Sequence, residues 1–142
     1  MSQTLTIEGH ASLFDIQDLG GDIVRRGAFA SALTRRNPIP MLFQHEPAEP
    51  VGVWTSLRED ASGLFVRGEI FSDNPRAKTT QSLVRRGAVN GLSIGFRTRR
   101  SSQRKGRGRE LLDIDLWEVS IVTFPMLPQA RLRLVADAAL AA

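Results

Sequence analysis

Apolar and polar residues alternate with a period of two over much of this chain, and that period predicts strands. Leu5–Phe14 reads as an opening strand with Gly9 as a candidate bulge, and Asp18–Asp22 as a turn leading into Ile23-Val24. Phe29, Leu33 and the Ala-Ser-Ala spacing between them predict a short helix that runs to Asn37 and stops at Pro38. Ile39–His45 is the next strand, and prolines at 47 and 50 hold the following loop out of helix. Val51–Leu57 and Gly63–Phe71 read as paired strands around the turn Arg58–Ser62. From Asn74 to Arg86 the period changes to helical: Ala77, Thr80, Leu83 and Val84 share one side, Pro75 fits a first turn, and Gly87 is a natural C-terminal cap. Gly91–Phe96 is again a strand, Leu111–Phe124 is the longest one, and Ala130–Leu140 is a weak terminal strand or helix. Many short strands with two or three helices predict an α+β domain built on a mostly antiparallel β-barrel.

Composition narrows the field. A chain of 142 residues, 42% hydrophobic and 24% charged, supports one domain over 1–142. No run approaches the roughly 18 apolar residues of a membrane span, and the start lacks the basic and apolar regions of a secretory signal. Cysteine is absent, which excludes disulfides, thiolate metal sites and cysteine nucleophiles. The net charge of +4 is concentrated between Arg97 and Arg109, where no acid interrupts the cations. Ser and Gly are interleaved there without any aromatic residue, so this basic loop 97–109 reads as exposed and flexible, and nucleic acid is not the expected partner. Residues 131–142 form a short C-terminal tail.

Histidine occurs only at positions 10 and 45, so imidazole chemistry has two candidates. His45, at the end of a strand and before a proline-rich loop, suits a general base; the alternative is a surface histidine. Ser93 lies between Gly91 and Gly95 in a strand. The glycines leave room for a substrate backbone and their amides could meet an oxyanion, but the same pattern also serves a purely structural strand. It is not the Gly-x-Ser-x-Gly elbow, whose spacing differs. In Leu112–Val122, alternation groups Glu118 with Leu112, Ile114, Leu116, Ser120 and Val122. A carboxylate on so apolar a face needs a partner: an active-site group, or an arginine such as Arg67 or Arg97. Asp113 and Asp115 fall on the opposite, solvated face. No cluster has metal-ligand spacing, and no glycine-rich segment makes a phosphate loop.

Five segments then occur in a recognisable order: Asp22–Phe29, Phe43-Gln44-His45 followed by Val51-Gly52, Gly63–Gly68, Gly91–Phe96 and Trp117–Pro125. Over residues 5 to 132 the chain closely resembles the prohead proteases of tailed bacteriophages. That resemblance implies a herpesvirus-assemblin-like fold and a serine endopeptidase needing no cofactor or metal. It implies action inside an immature capsid in the host cytoplasm, on the major capsid protein and its scaffolding segment, with self-cleavage and homo-oligomer formation also to be looked for. His45 matches the family histidine and Ser93 the family serine. Glu118 falls in the family's Glu-Val-Ser segment as the third member, with His10 as the rival for that place. The rival function is an inactive protease-fold subunit that binds capsid or scaffold.

Overall fold

The computed structural model describes residues 3–35 and 38–135. The chain opens with β1 (Leu5–Leu13), β2 (Ile23–Val24), a single helical turn α1 (Ala30–Leu33) and β3 (Pro40–Phe43). It continues through β4 (Gly52–Glu59), β5 (Gly63–Ile70), α2 (Pro75–Arg85), β6 (Gly91–Gln103), β7 (Arg109–Val122) and β8 (Leu132–Leu134). The helix α2 forms where its period predicted. The Asn74 side chain accepts from the Ala77 N–H at 2.8 Å, Pro75 sits in the first turn, and Gly87 ends the helix at φ 74°.

Eight strands form one sheet in the order β2-β7-β3-β4-β5-β1-β8, with β6 on the other edge of β7. Most pairs are antiparallel, but β2 and β3 both run parallel to β7 along a single edge. The expected barrel is not closed. The ladder stops at β6 and β8: the chain just before β8 meets β6 through one isolated bridge, Gly91↔Arg131, flanked by the Leu92 N–H donating to the Ala130 carbonyl and the Leu132 N–H donating to the Asn90 carbonyl, each at 2.9 Å. The bulge predicted at Gly9 lies two residues on, at Ala11 between His10 and Ser12. Gly9 is instead where β8 crosses closely: a side chain there would strike the Arg131 carbonyl.

The basic segment also differs from expectation. Arg97–Gln103 continues β6 and pairs with β7 down to Arg109, leaving only 104–108 as the hairpin turn. The hairpin arm holds because its cations find acids within the sheet: Arg97 approaches Asp115 and Arg99 approaches Asp113, both on β7, and Arg109 pairs with Asp22 just before β2 at 3.0 Å. Of the predicted terminal element, Leu132–Leu134 forms β8, and positions 136–140 lie outside the described residues. The helix predicted to Asn37 ends at Leu33, and Asn37 itself is outside them too.

The core is a continuous apolar cluster in which Ile7, Met41, Leu64, Leu92, Ile114 and Ile121 are among the fully or almost fully buried side chains. Each such burial is worth roughly 1.5–3 kcal/mol. Along β7 the core side runs Leu111, Ile114, Leu116, Val119, Ile121. Those steps of three and two record two irregularities: Leu112 and Trp117 each stand as an extra residue opposite β6, and each switches the alternation. This local geometry decides where Glu118 points.

Candidate active site

Simple alternation placed Glu118 on the face of Leu116. The extra residue at Trp117 reverses that, so Glu118 leaves the core side and joins Ser120 on the outer face of the β6–β7 ladder. Directly opposite them on β6 are Gly95 and Ser93: the register pairs Gly95 with Glu118 and Ser93 with Ser120. Residues opposite each other in an antiparallel pair point to the same face. Ser93, Glu118 and Ser120 therefore share one surface.

His45 reaches that surface from the other edge of β7. Parallel pairing sets Leu42 beside Ser120 and Phe43 beside Ile121. The chain then turns through two non-glycine residues in the left-handed region, Gln44 at φ 55° and His45 at φ 60°. Such residues cost roughly 1–3 kcal/mol each and persist only where surrounding contacts enforce them. Here the Gln44 N–H donates to the Ile121 carbonyl at 2.9 Å, and the Gln44 amide grips Thr123, donating to Oγ1 at 2.6 Å and accepting from its N–H at 3.2 Å. The His45 N–H donates to Ser120 Oγ at 3.1 Å. The ring consequently lies with Nδ1 2.5 Å from Glu118 Oε2. The Glu118 side chain is 13% exposed and that of His45 43%, so the carboxylate is sheltered while the imidazole stays open to an incoming group.

Ser93 is 6% exposed and makes no hydrogen bond to His45 among the described residues. The structure thus joins His45 to Glu118 and sets Ser93 alongside, across the ladder from Ser120. Ser93 also helps wall a cavity of about 140 Å³ with Ile16, Ile94, Phe96 and Leu127. A larger concavity of about 700 Å³ lies between α1 and the β3–β4 pair, lined by Ile39, Pro40, Trp54 and Phe71, and contains none of the three site residues. The space expected beside the glycines is taken by the protein itself: the Glu118 side chain covers Gly95, and Pro125 covers Gly91.

The competing assignments separate cleanly. His10 is held elsewhere, with Nε2 2.8 Å from Asp60 Oδ2 and its ring edge-on to Phe65. Burial pushes the Asp60 carboxyl up, but His10 and the N–H groups of Ser62 and Gly63 outweigh it and hold that carboxyl below the usual range. Arg67 pairs with Glu8 and Arg97 approaches Asp115, so neither neutralises Glu118. Asp115, expected in solvent, is buried: the Trp117 indole N–H donates to it at 3.1 Å, and Arg35 and Arg97 face it. Hydrogen bonding from Trp117 first, then the two arginines, holds its carboxyl below the ordinary carboxylate range against the effect of burial. Asp115 does lie on the face opposite Ile114 and Leu116, as alternation expects, but Trp117, Arg35 and Arg97 cover it there, which a period of two cannot register. Ser120, fully buried, was read only as part of a face; its tie to both His45 and Glu118 needs the register and the left-handed turn to be seen.

The open sheet that carries these residues has the herpesvirus protease fold. The chain's backbone superposes on the Kaposi's sarcoma-associated herpesvirus protease solved with a hexapeptide phosphonate inhibitor, at TM-score 0.66 and 16% identity, covering 96% of this chain and 66% of that one. It likewise matches the varicella-zoster virus protease at TM-score 0.60 and 14% identity, over 95% and 65% of the two chains. Residues 1–141 match the model of the caudovirus prohead serine protease family, and the chain belongs to that family. Among curated relatives, the prohead protease of Enterobacteria phage HK97 is 39% identical over 127 residues, 87% of this chain and 56% of that protein. The capsid polyprotein of Pseudomonas phage PAJU2 is 33% identical over 95 residues, 62% of this chain and 14% of the polyprotein. The chain thus spans just over half the length of the HK97 relative.

Proposed function

We propose that this chain is a serine endopeptidase that processes the major capsid protein and its scaffolding segment inside the immature phage particle, and that it also cleaves itself. The observation that carries the reading is the 2.5 Å contact between His45 Nδ1 and Glu118 Oε2 on the face that also bears Ser93. A carboxylate on one ring nitrogen orients the imidazole and stabilises its charged form, leaving Nε2 to act as base. His45 would take the Ser93 proton as Ser93 Oγ attacks the scissile carbonyl, and return it to the leaving amine. Backbone N–H groups near Ser93, or an arginine, would hold the developing oxyanion. Hydrogen bonds of this kind are often long in a free enzyme and tighten with substrate, which accommodates the unengaged Ser93. The substrate assignment is supported by the family and by the PAJU2 relative, in which a similar segment is part of a capsid polyprotein.

The same unengaged, largely buried Ser93 favours the second reading, a non-catalytic subunit that binds capsid or scaffold. Labelling with a peptidyl phosphonate, followed by mass mapping, separates the two. The endopeptidase reading expects one adduct, on Ser93, that disappears in His45→Ala. An unlabelled Ser93 in a folded protein that still binds capsid would support the second reading.

A further inference from the structure

We infer that Ser120 is a positioning residue that selects the proton-bearing nitrogen of His45; this rests on reading His45 as the general base. Ser120 is fully buried on the outer-face side of β7, between the two groups it touches. Its hydroxyl has one proton and two lone pairs. The His45 backbone N–H can only donate, so at 3.1 Å Ser120 Oγ accepts from it. The hydroxyl proton is then committed to Glu118 Oε1, 2.7 Å away. With Oε1 engaged, Oε2 is the oxygen left to face the ring, and it does so at 2.5 Å from Nδ1. An ionised carboxylate accepts only, so Nδ1 carries the ring proton and Nε2 keeps the lone pair. One hydroxyl therefore ties the left-handed backbone of His45 to the orientation of Glu118 and, through both, presents the basic nitrogen away from the acid. Ser93 stands directly opposite Ser120 in the ladder, so the fixed point and the proposed nucleophile share one cross-strand pair.

The test combines turnover with imidazole ¹⁵N spectra of neutral His45. In wild type the Nδ1–H tautomer should predominate. Ser120→Ala should shift the ring toward Nε2–H and lower kcat about ten- to a hundred-fold with KM within about twofold, as expected for losing a hydrogen-bonded supporting partner. In a Glu118→Gln background, Ser120→Ala should add less than about threefold, because the hydroxyl acts through that carboxylate. Ser120→Cys, close in size and a weak hydrogen-bond partner, is the second variant should the alanine protein fail to fold, and should change both readouts in the same direction. A wild-type tautomer and wild-type kcat in either folded variant would overturn the proposal, as would an undiminished loss in the Glu118→Gln background. The tautomer readout does not depend on peptidase activity, so it decides the role of Ser120 even if no substrate is cleaved.

Discussion

Gly95 lies directly opposite Glu118 in the β6–β7 ladder, and the Glu118 carboxylate occupies the space a Gly95 side chain would fill. A methyl group at Gly95 would come within 2.6 Å of Glu118 Oε2 and 2.7 Å of its Cγ and Cδ. Glu118 would have to swing away, and its contact with His45 would go with it. Gly95→Ala is therefore expected to leave the fold intact, since the three nearest atoms all belong to the movable Glu118 side chain, while cutting kcat about tenfold or more. Circular dichroism and turnover on a peptide substrate check the two halves. Unchanged turnover would mean that Glu118 does not serve the reaction from its present position.

Glu118→Gln keeps the shape and removes the charge, so it should slow turnover about a hundred- to ten-thousand-fold. His10→Ala removes only the His10–Asp60 pair, a part-exposed contact worth about 1 kcal/mol or less, and should leave kcat/KM nearly unchanged. Comparing the two variants in one assay separates the candidates for third member.

The tip of the β6–β7 hairpin carries Arg104, Lys105 and Arg107. Arg104 donates to Gln17 Oε1 at 3.2 Å and also to the Gly21 carbonyl, while Lys105 and Arg107 are exposed. Replacing all three with serine should leave hydrolysis of a short neutral peptide within about twofold of wild type. Any loss should appear on an acidic scaffold segment instead. A large loss on the neutral peptide would place the hairpin in the active site.

Asp115 gives a pH signature of stability. Its folded carboxyl lies below the ordinary range because Trp117, Arg35 and Arg97 surround it. The stabilisation is thus present above the unfolded carboxylate value of about 3.9 and is lost as pH falls through the lower folded value. Thermal melts of wild type and Asp115→Asn should differ near neutrality and converge in strong acid. A constant difference across that range would remove Asp115 as the source.

The helix α2, the β4–β5 hairpin and the family were legible in the sequence because each rests on local signals: the Asn74–Pro75 start, Gly87, the turn before Gly63, and five ordered segments. Glu118 was also singled out, but through an alternation that the extra residue at Trp117 reverses. The carboxylate is sheltered by Gly95, Ser120 and His45 rather than by the core. The β6–β7 arm was missed because its cations are neutralised by acids far along the chain, such as Asp22 for Arg109, which no local pattern reports. The left-handed turn at Gln44 and His45 is likewise imposed by Thr123, Ile121 and Ser120.

The most direct test is cleavage of a capsid precursor that carries its scaffolding segment, followed by mass spectrometry of the products. Wild-type protein should yield a shortened capsid protein. Folded Ser93→Ala and His45→Ala should yield none, and the double variant should be hardly worse than either single one, because the pair acts as a unit. Continued production of the shortened capsid protein by Ser93→Ala would contradict the assignment of Ser93 as nucleophile.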